Sequence, residues 1–106
     1  MVIPVRRKID FKRINAAALA VLPVLLHRWL PDGHVVGQEY VARNPHRVDH
    51  NPGSFRINLI TGRWADFALE DARGGDVIAL AAYLAELKQS EAARRIAEML
   101  DIKGAC

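Results

Sequence analysis

The sequence holds one cysteine, Cys106, at its last position. A lone terminal thiol excludes an internal disulfide framework and any cysteine-rich zinc site. Long apolar runs are missing too. The longest, residues 16–26, spans eleven residues and contains Pro23, which is too short to cross a bilayer. Basic residues (Arg6, Arg7, Lys8, Lys12, Arg13) precede this run, as they would in a secretory leader. However, Pro23 interrupts it, His27-Arg28-Trp29 ends it, and no small-x-small cleavage site follows. The segment reads as a core helix of a cytoplasmic protein with no membrane partner. There is no internal repeat and no low-complexity segment.

What remains is an ordinary globular composition, 51% hydrophobic and 25% charged over 106 residues. This implies one domain with one modest core. A net charge of +3 does not by itself mark a nucleic-acid binder. Its distribution is more informative. Residues 1–63 carry ten Lys and Arg against four acids, a balance of +6, and residues 64–106 carry five against eight, or −3. A basic front and an acidic back hint at an anionic partner, although two solvated faces of opposite sign fit the same numbers.

Residues 1–9 are basic and aperiodic, a flexible arm or short extended lead-in, and residues 10–103 read as a single domain. Phe11, Ile14, Ala18 and Val21 or Leu22 recur at helical spacing from Asp10. Pro23 either kinks that helix or opens a second one, and Leu30-Pro31-Asp32-Gly33 stops it. Residues 35–42 read as one strand with Gly37 as a bulge, and residues 44–53 as a loop. Residues 54–59 alternate, with Phe55, Ile57 and Leu59 on one face. Residues 60–63 connect them to a returning strand at 64–68, giving a hairpin over 54–68. Residues 69–75 form a turn, and Asp76 serves as N-cap or first-turn acid of a helix to about residue 87 with Val77, Leu80, Ala81, Leu84 and Leu87 inward. Ser90 caps a last helix, in which Ala93, Ile96, Ala97 and Leu100 face inward and Glu91 pairs with Arg95. The fold class is α+β: a small antiparallel sheet of about three strands, with its central hairpin at 54–68, packed against N-terminal and C-terminal helices.

Little of the chemistry suits catalysis. Cys106 is terminal, and Ser54 and Ser90 have structural roles, so no nucleophile stands beside a base. His46, Asp49 and His50 share a loop with ligand-type residues, but Pro45 and Pro52 oppose the helix that would align the two imidazoles. Exposed loop histidines are the plainer reading, with His46 and His50 kept as the alternative metal pair. Asp49, Asp66, Asp71 and Asp76 would have to converge to hold a divalent ion. The best-supported group is basic and aromatic. Arg56 and Asn58 project from one strand, Arg63 and Trp64 sit at the hairpin end, and Arg43 and Arg47 come from the preceding loop. Cations for phosphates with an aromatic face for a base suit single-stranded nucleic acid. The same pattern fits a buried Trp64 among solvated arginines.

The string NPHRVDHNPGSFRINLITGRWADFALEDARGGDVIALAAYL, followed by SEAARRIAEML, resembles a module of phage- and plasmid-type primase-helicases, itself similar to the zinc-binding domain of bacterial DNA primases. The lead-in at residues 30–40 fits as well. The residues carrying this likeness are Gly53 and Phe55, then Trp64, Asp66 and Phe67, then Gly74, Gly75 and Asp76. The ligand pattern Cys-x-x-His…Cys-x-x-Cys is absent. Its first pair falls near residues 44–47, where only His46 remains, and its second near 64–67, where only Asp66 does. The resemblance therefore implies the scaffold without zinc and without another cofactor, held by a core of Phe55, Ile57, Trp64 and Phe67.

It also implies an accessory, non-catalytic module that binds nucleic acid, single-stranded DNA foremost, in the primase and helicase functions of a mobile element. Arg43, Arg47, Arg56 and Arg63 would meet phosphates, Asn58 a base or sugar edge, and Trp64 would stack. The alternative is a protein-interaction or regulatory module that acts on a primase or helicase without binding DNA. Its surface would then be the acidic C-terminal helices, with Glu86, Glu91 and Glu98 exposed.

Overall fold

The computed structural model describes residues 8–46 and 53–105. Arg47, Asp49, His50 and Cys106 lie outside the described residues. Helix α1 (Phe11–Ala20) begins where the Asp10 carboxylate accepts the Arg13 N–H at 3.1 Å, satisfying a first-turn donor. It ends at Val21 because Pro23 has no N–H to continue the ladder. Helix α2 (Leu22–Trp29) restarts there with Pro23 in its first turn, where the missing donor costs nothing. Ile14, Ala18, Leu22 and Leu26 are fully buried along the joint of the two helices.

Five strands follow: β1 (His34–Val36), β2 (Glu39–Ala42), β3 (Phe55–Asn58), β4 (Trp64–Asp66) and β5 (Arg73–Gly74). They form one antiparallel meander in chain order. The class is α+β, and the sheet is larger than the three strands expected. The single strand expected at 35–42 is a hairpin. Gly37, at φ +61°, is its turn rather than a bulge, since a two-residue hairpin needs a residue tolerant of positive φ. The turn expected at 69–75 contains β5, whose two residues are too few to show a strand pattern. The returning strand ends at Asp66, two residues early.

Helix α3 (Val77–Ala85) is capped by Asp76, which accepts the Ala79 N–H at 2.8 Å. Its buried residues are Val77, Ile78, Leu80 and Ala82, whereas Ala81, Leu84 and Leu87 of the expected stripe are only half-buried. α3 packs against both α1 and α4, and the Ile78 N–H also donates to Asn15 of α1 at 3.0 Å. Helix α4 (Gln89–Met99) starts one residue before Ser90, so Lys88 holds the cap position and Ser90 lies inside the first turn. Ala92, Ala93, Ile96 and Ala97 are its buried face. Ala105 is fully buried, and its carbonyl accepts the Asp10 N–H at 2.8 Å, which draws the two described ends together. Among the described residues no helix is long and apolar enough to cross a membrane.

Candidate nucleic-acid interface

Strand alternation sorts the sheet into two faces. Tyr40, Ile57, Trp64 and Gly74 form one cross-strand row, and Ala42, Phe55 and Asp66 the next. These rows face the helices, and apart from Gly74 and Asp66 they belong to the hydrophobic core. The opposite face carries the row Val41, Arg56, Ala65, Arg73, and beside it Glu39 and Asn58. The Asn58 N–H donates to the Arg63 carbonyl at 2.7 Å, which sets Arg63 next to Asn58. Phe67 continues the outer side of β4, fixed by its N–H to the Ser54 carbonyl at 2.8 Å.

Apart from Val41, these outer residues line a shallow groove of ≈ 680 Å³ that also includes Thr61, Gly75 and, from the inner row, Trp64 and Gly74, a volume within the range of small-ligand sites. Its guanidinium groups differ in freedom. Arg56 donates from Nε to the Gly53 carbonyl at 2.9 Å and from Nη1 to the Glu39 carboxylate at 3.1 Å. The Arg63 and Arg73 side chains are exposed and make no hydrogen bond or ion pair among the described residues. Asn58 is half committed. Its Oδ1 accepts the Ile60 and Thr61 N–H groups at 2.8 and 2.9 Å, holding the β3–β4 turn, and only its Nδ2 remains to donate outward.

Of the expected binding residues, the groove therefore brings together Arg56, Asn58, Arg63 and Trp64, the last at its margin as a buried side chain. Arg43 is exposed elsewhere, beside a smaller cavity with Asp32, Gly33 and Pro45. Two aromatic assignments are corrected. Trp64 does not offer a ring for stacking: it is 5% exposed, edge-on to Phe55 and tilted against Tyr83. Phe67 is not core: it is 74% exposed. Both follow from the phase of β4, in which Trp64 and Asp66 point inward and Ala65 and Phe67 outward. Arg73 was missed because it belongs to the unforeseen β5. Gly74 is required for a steric reason. The β5 backbone passes so close to the indole that a Cβ at Gly74 would lie 2.5 Å from Trp64 Nε1. That indole N–H finds no acceptor among the described residues.

The inner face also contains a polar cluster that sequence reasoning did not foresee. Asp66 is 1% exposed and Asn44 likewise. Asn44 Nδ2 donates to Asp66 Oδ2 at 2.9 Å and to the Tyr83 hydroxyl at 2.7 Å, and the Ala68 N–H donates to Asp66 Oδ1 at 3.0 Å. His46 donates from Nε2 to the Tyr83 carbonyl at 2.7 Å and packs edge-on against that ring. A buried carboxylate is tolerated only with such partners. The cluster ties the segment after β2 to β4 and α3. His46 is thus engaged with α3, Asp66 with Asn44, and Asp76 with its helix cap. Among the described residues no three His, Cys, Asp or Glu gather as metal ligands.

The chain matches no family model, no curated protein and no solved structure.

Proposed function

We propose that this protein is a non-catalytic module that binds single-stranded DNA through the outer face of its sheet. The context would be the primase and helicase functions of a mobile element, as its resemblance to primase zinc-domain modules implies. The observation that carries the reading is the placement of Arg56, Arg63 and Arg73 around one open groove, with the last two guanidinium groups unpaired among the described residues. Unpaired arginines on an open surface are suited to phosphate, which they bind in a bidentate manner. An antiparallel sheet face is also a platform on which unpaired bases can be laid out.

Fluorescence anisotropy with a labelled single strand tests this. Binding is expected at low salt and falls as salt rises. Arg63→Ala combined with Arg73→Ala should reduce the slope of log K against log salt by about 1.4, at roughly 0.7 per phosphate contact on a single strand. No binding at low salt, or binding indifferent to salt, rejects the reading.

One observation favours the second reading, a protein-interaction module. A mainly apolar groove of ≈ 300 Å³ lies among Trp29, Leu84, Ala92, Ile96 and Met99, beside the exposed Glu91 and Arg95 of α4. Retention of a primase or helicase partner in pull-down by the Arg56→Ala, Arg63→Ala variant would favour it over DNA binding.

A further inference from the structure

Phe67 is the most exposed of the large hydrophobic side chains among the described residues, at 74%, yet it is not on a loose loop. Its backbone N–H is bonded to the Ser54 carbonyl at 2.8 Å, which fixes the residue beside the outer face of the sheet. Along β4 its outward neighbour is Ala65, the smallest side chain in the groove after the glycines. Across the strands Ala65 stands between Arg56 on β3 and Arg73 on β5. Strands lie about 4.8 Å apart, so the two arginines are set roughly 10 Å from each other with a low floor between them. An aromatic ring on an anchored backbone, a shallow floor and a cation on each side form a slot with the shape and chemistry of a single base and its flanking phosphates.

We infer that this slot takes one unpaired base, stacked on Phe67 over Ala65, with Arg56 and Arg73 holding the neighbouring phosphates. The inference rests on the DNA-binding reading above and deepens it by naming the base-stacking residue. Because stacking uses the face common to all bases, the slot is tolerant of sequence and demands only that the base be unpaired. A duplex, whose bases are already stacked on each other, does not fill it.

The test compares two labelled strands of equal length at one low salt concentration, an oligothymidylate and a strand of abasic residues, in anisotropy titrations with the full chain. The wild type should bind the oligothymidylate at least about fivefold more tightly, the lower end of what one stacked base contributes. Phe67→Ala should remove that preference while leaving affinity for the abasic strand unchanged, and Phe67→Tyr should restore it. Ala65→Leu, which fills the floor, should act like Phe67→Ala. Thermal melting of each variant shows whether it is folded. If the wild type binds neither strand, the DNA-binding reading itself fails. If it binds both equally, or if Phe67→Ala weakens both alike or neither, DNA binding stands and the slot is overturned.

Discussion

Trp64 and Phe67 lie three residues apart on one strand and its extension, and they face opposite ways. The indole is enclosed by Phe55, Tyr83 and the β5 backbone, and the phenyl ring stands in solvent beside two arginines. The same division runs through β3, where Phe55 and Ile57 are fully buried while Arg56 and Asn58 reach the groove. One face of the sheet thus builds the core and the other carries the polar groups of the groove, with an alternation of single residues between them. Substitutions on the two faces should separate cleanly, the inner ones changing stability and the outer ones binding.

The largest expected effect is at the indole. Trp64→Ala removes a large ring from a close-packed site and should cost about 3–5 kcal/mol, read from urea unfolding. Phe67→Ala on the other face should stay within about 0.5 kcal/mol, as exposed positions do. A Phe67→Ala variant that loses several kcal/mol would show that the phenyl ring is packed, and the division between faces would fail there. Next comes the polar cluster. Asn44→Ala takes a donor from the buried Asp66 carboxylate and should destabilise by about 1–3 kcal/mol, a large loss for an exchange of so little apolar surface. Asn44→Asp should be worse, because it sets a second carboxylate beside the first.

Much of this division was legible in the sequence. Phe55, Ile57, Arg56 and Asn58 alternate in the period of a half-buried strand, and the structure keeps that pattern. Asp10 and Asp76 cap the helices they precede, because a side-chain oxygen ahead of an apolar run suits the free N–H groups there. The failures have local causes. Gly37 in a run of β-formers fits a bulge or a turn equally well, and only pairing partners decide between them. The phase of β4 is visible, yet it does not say which phase faces the helices. Trp64 and Phe67 are both plausible core residues, and the choice is made by the register of Trp64 against Ile57 and Gly74. Arg73 and Asn44 had no periodic signal. One belongs to a two-residue strand, and the other acquires its role only when β4 and α3 reach it.

A smaller effect distinguishes the arginines on the outer face. Arg56 already gives hydrogen bonds to Glu39 and Gly53, so a bound phosphate would have to share it, whereas Arg63 and Arg73 have no such partner among the described residues. Glu39→Gln should therefore tighten single-strand binding by relieving a competing acceptor, with little change in stability, since a half-exposed ion pair contributes about 0–1 kcal/mol. Parallel anisotropy and urea titrations of Glu39→Gln and wild type check both halves. Weaker binding by the variant would mean that Glu39 holds Arg56 in its binding pose.

Strand β2 repeats the comparison with Glu39 outward and Tyr40 inward, and the inner partner predicts a small effect that varies with pH. The Tyr40 hydroxyl donates to the Leu30 carbonyl at 2.7 Å and is fully buried. Burial raises its phenol above the ordinary value of 10.0, and the Asp32 carboxylate raises it further. The protonated form is thus the one the fold retains. Its contribution is complete below the unfolded-state value of 10.0 and is lost as pH rises through the higher folded value. Tyr40→Phe should be less stable than wild type near neutrality by about 0.5–1.5 kcal/mol, the net worth of one hydrogen bond. Above pH 10 the gap should narrow, because wild type alone must then keep a proton on the buried phenol or bury its charge. Urea midpoints of the two proteins from pH 7 upward measure this difference directly. Other titrating groups are common to both and cancel. A gap that stays constant or widens with pH would show that the Tyr40 hydroxyl does not resist ionisation in the folded state.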